Sequence, residues 1–339
     1  MKFFISLLLI VFTTNGFAQS FDKNTIRFEY IQRPLKPLDR SIRNYQVTVI
    51  PPAPVFPPPF TLKPINTNEL ASMIKLEGYT LSPSTSARIT LTIMAYEMQQ
   101  TLVKVDVTQS EKGKTVTVPK FHYEIVSRQP IGLMVQAPDG TVLIQETPPV
   151  MLENSKSITN DFNSQAELDA WWTSNRDPFL SNNQYSTLFS NMRNMNNVIN
   201  DYCGFPIKMH ATELILVTSK KVDYKDYQDA YDVCLKGYKL LATSRQEGVN
   251  NILSAIGIWE NALRESNVTD KKARINEDVT VWTLINLGEA YAWIDNFAKA
   301  NECVASIYKM ELGRKEHKRL EKLDALIKSL QATYAANNR

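Results

Sequence analysis

From Ile26 to about Ile158 the chain carries runs that alternate apolar and polar residues with the two-residue period of strands, and from Tyr224 onward the period becomes that of helices. In the first region Tyr45-Gln46-Val47-Thr48-Val49-Ile50 alternates in this way. The prolines between Pro51 and Pro59 then stop the ladder, because proline has no amide to donate. That run predicts an extended polyproline II segment. The alternation is clearest in Ile89-Thr90-Leu91-Thr92-Ile93 and in Val103-Lys104-Val105-Asp106-Val107. It resumes after the polar turn Gln109–Lys114, which contains Gly113, in Val116-Thr117-Val118 and Phe121–Ile125, as an antiparallel hairpin would. Leu133-Met134-Val135 and Val142-Leu143-Ile144, joined through Pro138-Asp139-Gly140, predict a second hairpin. Residues 19–160 are therefore expected to form a β-rich domain with a mostly antiparallel sheet, one face covered by a helix near Asn68–Ile74.

Residues 161–222 are transitional. Ser164 and Glu167 have the spacing of a capping box for a helix carrying Leu168, Trp171 and Trp172. Leu188, Phe189, Met192 and Met195 predict another helix, from Tyr185 to Ile199. Gly204 and Pro206 break the pattern, and Thr212–Val217 reads as one more strand, which either closes the first sheet or begins a second small one. In residues 223–335 Tyr227, Ala230, Tyr231, Cys234, Leu235 and Tyr238 recur at offsets that share one helical face. Ile252, Ala255, Ile256, Trp259, Ala262 and Leu263 repeat that spacing. A third helix carries Leu284, Leu287, Gly288 and Tyr291. A fourth, past a turn at Asp295-Asn296, carries Ala300, Cys303, Val304 and Ile307, and a fifth carries Leu320, Leu323, Ile327, Leu330 and Tyr334. Short loops between five helices predict antiparallel hairpins. The fold class expected is α+β, an N-terminal antiparallel β-rich domain followed by a C-terminal all-α domain.

The N-terminus adds a destination. Lys2, the apolar run Phe3–Phe12 and the small residues Gly16 and Ala18 follow the order of a secretory signal peptide over residues 1–18, cleaved after Ala18. The first cysteine is Cys203, so no lipid-bearing cysteine follows the cleavage point. No later apolar stretch reaches the roughly 18 residues that a membrane span needs. Export to the periplasm, with possible outer-membrane association and no transmembrane anchor after cleavage, is the expectation. With 339 residues and 43% hydrophobic content the chain can build two or three cores. A net charge of +3 gives no electrostatic case for nucleic acid. Cys203, Cys234 and Cys303 are too few and too scattered for a disulfide framework, and the last two fall on apolar helix stripes as small buried hydrophobes.

Within Val281–Met310, Leu284, Leu287-Gly288, Tyr291, Ala300, Val304 and Ile307 sit at the offsets of a tetratricopeptide repeat, and this stretch resembles that family. Gly288 and Ala300 let two helix axes approach while Leu287 and Tyr291 fill the groove between hairpins. The closing proline of the repeat is missing, with Glu311 near its place, and the preceding hairpin, Tyr227–Leu263, stands at a spacing of about 45 residues where the family has about 34. The resemblance covers the last third of the chain and implies a protein-interaction surface. The leader's end, Phe17-Ala18-Gln19, is similar to those of exported Bacteroidota proteins.

Catalytic chemistry finds little support. His122, His210 and His317 stand apart from one another, and there is no Gly-x-Ser-x-Gly elbow, glycine-rich phosphate loop or Cys-x-x-Cys pair. No cofactor, metal or enzyme activity is expected. The basic cluster Arg314–Lys322, interleaved with glutamates, reads as a solvated, ion-paired face. What remains is binding: a scaffold of the cell envelope gripping a protein partner in the concave face of its helical hairpins, with Tyr227, Trp282 and Trp293 as candidate contacts wherever exposed. The alternative is a carbohydrate- or peptidoglycan-binding module stacking sugars on Trp171 and Trp172.

Overall fold

The computed structural model describes residues 19–53, 63–83, 86–111 and 114–338. Residues 1–18, expected to be a leader, and Gly113 and most of the proline run lie outside the described residues. The chain divides into two compact units, one built from the chain up to Gln32 together with Ile207 onward, the other from Arg33–Pro206. It opens in the first unit with strand β1 (Gln19–Ile31). The inserted unit then contributes β2 (Asn44–Ile50), α1 (Thr67–Ser72), β3 (Thr80–Leu81), β4 (Ser86–Ile93), β5 (Glu97–Glu111), β6 (Lys114–Arg128), β7 (Ile131–Gln136), β8 (Val142–Glu146), β9 (Ser155–Ile158) and the long helix α2 (Gln165–Cys203). The first unit resumes with β10 (Ile207–Ser219), α3 (Lys225–Leu240), α4 (Arg245–Leu263), α5 (Glu277–Trp293), α6 (Phe297–Ile307) and α7 (Arg314–Asn337). The α+β class holds, with antiparallel-rich sheets in the N-terminal part and helices in the C-terminal part.

In the inserted unit a five-stranded sheet runs β3-β2-β4-β7-β8 and a second sheet runs β5-β6-β9. Pairing is antiparallel except where β2 meets β3 and β4. The alternation seen in the sequence becomes the core: Ile89, Leu91, Ile93, Leu133 and Val135 point to one face and are covered by Leu188, Met192, Met195 and Ile199 of α2. Two separate helices were expected over 165–199, yet α2 is continuous through Pro178. Proline forfeits one backbone bond, but the buried stripe runs unbroken on both sides of it, from Leu168 and Trp172 through Leu180 to Ile199. Ser164 caps the helix, accepting from the Glu167 amide at 3.2 Å, as the capping-box spacing predicts. Gly140 takes φ +91° in the β7–β8 turn, where a residue with a Cβ would be strained.

The unit boundaries differ from those read in the sequence. β1 leaves the β-rich segment and pairs antiparallel with β10 over its whole length, Gln19 opposite Ser219 and Ile31 opposite Ile207. Helix α2 joins the sheets of the inserted unit rather than forming a separate insertion with β10. The reason is apolar matching: Ile26, Phe28, Leu214, Ile215, Leu216 and Val217 share one core with the five helices.

Among those helices α5 is central. Nearly every residue from Val279 to Trp293 is buried, Leu284 being the exception, so the helix is enclosed on almost every side. Its C-terminus turns through Asp295 at φ 65°, the left-handed conformation that ends helices. Gly288 lies against α6 and α7, and a Cβ there would stand 2.9 Å from Leu323 Cδ2 and 3.4 Å from Cys303 Cβ. The α3–α4 crossing is closer still, because Gly237 and Gly248 face each other and a Cβ on either would meet the other's carbonyl oxygen at 2.8 Å. Backbone cannot yield as a side-chain tip can. Gly248→Ala is therefore expected to lower stability by about 1–3 kcal/mol through overpacking, read from urea unfolding. Gly257→Ala, whose Cβ would meet nothing within 4 Å, is the control and should not destabilise.

Candidate binding sites

The inner face of the helical unit is a cleft that holds a strand, and the strand is the protein's own. β10 lies against α3 and α5, and Leu214 to Val217 are buried on both faces of the strand, Ile215 and Val217 to 1% exposure. A strand in a two-stranded ribbon has one backbone edge without a β partner, and a buried edge must be satisfied by other means. Asn286 of α5 supplies them: its Nδ2 donates to the Ile215 carbonyl at 2.8 Å, and its Oδ1 accepts from the Ile215 amide at 3.2 Å. One strand position earlier on the same edge, the Arg319 guanidinium of α7 donates to the Glu213 carbonyl at 3.2 Å. A carboxamide and a guanidinium thus replace the missing neighbour strand.

Arg319 also belongs to a buried charge cluster. It donates to the Glu289 carboxylate and to Thr212 Oγ1, and Thr212 donates to Glu289 Oε2 at 2.8 Å. His210 Nε2 stands 3.6 Å from Glu289 Oε1. Burial alone would raise the pKa of Glu289. His210, the Arg319 charge and the Thr212 hydroxyl outweigh it, and the carboxyl titrates below its ordinary value. Arg319 comes from the basic run read as a solvated face, yet its side chain is only 10% exposed. Neighbours such as Lys318 are exposed, as expected of a solvated face, and Arg319 is not.

The three residues expected to contact a partner are buried here. Tyr227 is 1% exposed, its hydroxyl bonded to Thr283 Oγ1 at 2.8 Å. Trp282 lies under β1, with Phe21 at 6.4 Å between ring centroids and Lys23 Nζ 3.7 Å above its ring. Trp293 packs in an aromatic cluster with Phe28 at 5.1 Å, Tyr30 at 4.8 Å and His210 at 5.0 Å. Trp282 and Trp293 pack against the ribbon, Tyr227 ties α3 to α5, and none of the three can meet an outside partner where it stands.

On the opposite side of the same helices a surface groove of about 450 Å³ remains open between α4 and the α5–α6 hairpin. The partly buried Leu263 and Leu284 form its floor over the buried Leu287, and Glu260, Arg264, Lys299 and Glu302 form its rim. Tyr291 donates its hydroxyl to Glu260, and Lys299 pairs with Glu302 at 2.9 Å. Burial and Glu260 together push the Tyr291 phenol up, so it stays protonated as a donor. Cys303 is buried at this groove's edge, and burial raises its thiol to about 12, which leaves it inert.

In the inserted unit the adjacent tryptophans part company. Trp172 is buried, 5.2 Å from Tyr123 and 5.6 Å from Phe179 between centroids. Trp171 is half-buried, flanked by Phe162 at 5.6 Å and Phe179 at 6.3 Å. Tyr123 donates to Asp169 beside them. Asn286 and Glu289 of α5, which hold β10 and its Thr212, belong to no motif in the sequence. The available signal was two polar residues within an otherwise apolar helical run.

Among the described residues no group of three or more His, Cys, Asp or Glu is placed to hold a metal ion. No described helix is long and apolar enough to cross a membrane. No protein-family model matches the chain, and no curated protein does either.

Proposed function

We propose that the chain is a non-catalytic binding and scaffolding protein of the cell envelope, exported by its leader and periplasmic or outer-membrane-associated. Its helical hairpins, which resemble tetratricopeptide repeats, engage a protein partner through the outer groove. The observation that carries this reading is the difference between the two faces of the same helices. The inner cleft is filled by β10, while the outer groove offers an apolar floor with charges of both signs on its rim. Such a rim favours a segment that also carries both charges, since each unmatched charge weakens docking.

The test compares the tagged protein with its Arg264→Glu/Lys299→Glu variant in capture from envelope fractions. A protein retained by the parent and lost by the variant, both folded by circular dichroism, is the expected result. Identical retention by both, or no protein above background, sinks the reading. A second reading has its own support, because Trp171 is only partly buried and lies between two other aromatic rings. If the chain binds peptidoglycan or polysaccharide there, Trp171→Ala abolishes retention on that polymer without changing thermal stability by much.

A further inference from the structure

The arm formed by β5 and β6 has two edges of opposite character. Phe121 of β6 exchanges both backbone hydrogen bonds with Phe162, so its N–H and C=O point away from β5. Antiparallel strands alternate in this respect, so Pro119 and Thr117 also point their backbone groups away from β5. Pro119 has no N–H to give, and it stands on the part of β6 beyond the segment paired with β9. Proline at such a place blocks strand addition without disturbing the ladder inside the arm. β6 is therefore a protected edge.

β5 has no such guard. Leu102, Lys104 and Asp106 pair with Tyr123, Phe121 and Pro119, so their N–H and C=O groups point outward, as do those of Thr108 two residues on. Among the described residues no strand lies beside β5 on that side. Along β5 the side chains alternate: Val103, Val105 and Val107 share one face with His122, Lys120 and Val118 of β6, while Lys104, Asp106 and Thr108 share the other with Phe121, Pro119 and Thr117. Val116 is 41% exposed and Leu102 40%. A two-stranded arm with exposed apolar side chains on both faces is marginal by itself.

We propose that a second copy of this chain adds to the open edge of β5, antiparallel and two-fold, with Val105 opposite Val105 of the partner subunit. The residue pattern selects this register. Hydrogen bonds across the new seam require even-numbered residues to meet even-numbered residues, because those carry the outward backbone groups. Of the registers that meet this condition, centring on Val105 sets Lys104 against the partner's Asp106 and Asp106 against the partner's Lys104. It also sets Val103 against the partner's Val107. Sliding by one residue on each strand places Lys104 against its own copy, or Asp106 against its own copy, and like charges directly opposite are unfavourable. The result is a four-stranded β6-β5-β5-β6 ribbon in which Val103, Val105 and Val107 of both central strands share one face, with Pro119 guarding each outer edge. The proposal is independent of the outer groove on the helical unit.

Light scattering coupled to size exclusion, on the chain freed of residues 1–18, is expected to give twice the chain mass. Lys104→Asp sets two aspartates together at each of two places and should yield monomer. Lys104→Asp/Asp106→Lys restores opposite pairing and should yield dimer again, which separates recognition from folding damage. Valines opposite one another across a pair without hydrogen bonds have Cα atoms about 4.5 Å apart, within disulfide reach. Val105→Cys should then crosslink two chains on oxidation and Val103→Cys should not, the three native cysteines being buried. A monomer at the highest soluble concentration, a dimer indifferent to Lys104→Asp, or equal crosslinking at both positions would overturn the proposal.

Discussion

Replacing Asn286 by alanine is expected to lower stability by about 2–4 kcal/mol, more than an ordinary surface change in the same unit. The side chain contacts nothing that a partner could see, but it satisfies both backbone groups of Ile215 at once. Ile215 is 1% exposed, so water does not readily replace the carboxamide. An amide and a carbonyl left unpaired in the interior cost about 1–3 kcal/mol each, reduced by whatever relaxation admits solvent. Asn286→Asp is a sharper probe. Its carboxylate can still accept from the Ile215 amide but repels the Ile215 carbonyl, so stability at neutral pH should fall at least as far as with alanine and recover partly in mild acid. Urea unfolding at two pH values reads both effects. Equal stability of the parent and the alanine variant would mean that β10 is not held as described.

Arg319→Met is expected to cost about 3–5 kcal/mol, because it strands the Glu289 carboxylate in a site where it is only 4% exposed. Removing both charges, as Arg319→Met/Glu289→Leu, should recover much of that loss, since a matched apolar pair avoids the desolvation that the ion pair must overcome. The parent also carries a pH signature. Glu289 titrates below its ordinary value in the folded protein. The stability it contributes is complete above the unfolded carboxyl pKa, near 4.3, and is lost as pH falls through the lower folded value. Acid unfolding of the helical unit should therefore steepen below about pH 4 in the parent. The double variant should lack that component. A double variant as unstable as the single one would contradict the pairing.

Much of this architecture is legible in the residues, for reasons of range. The alternation in Ile89–Ile93 and the i, i+3, i+4 recurrence in Tyr227–Tyr238 are local, and the strands and helices appear where those periods place them. The separation of Trp171 from Trp172 follows from helix geometry, in which neighbours cannot share a face. What stays hidden is long-range pairing. Nothing within Gln19–Ile31 names Ile207–Ser219 as its partner, because either strand's pattern also suits the edge of the β-rich sheet. The role of Asn286 depends on that pairing, since a carboxamide in an apolar helix declares a buried polar need without saying which backbone meets it. Arg319 was concealed differently. It sits among residues of the same charge that do face solvent, and composition alone cannot tell one guanidinium from its neighbours.

The insertion of Arg33–Pro206 between two paired strands bears on how the protein acquires its fold. Ile31 and Ile207 are direct partners, so the whole intervening segment is a loop whose ends must meet at strand spacing. Closing a floppy loop of that length is entropically unfavourable and slow. Once the segment has condensed on its own core, its termini no longer need to search, and the ribbon can zip from that end. Maturation is thus ordered from the inside outward: damage to the isoleucine- and leucine-rich interior of the insert should delay burial of Trp282 and Trp293, although neither belongs to that core. Stopped-flow tryptophan fluorescence on a Leu91→Ala variant would show that delay as a slower late phase.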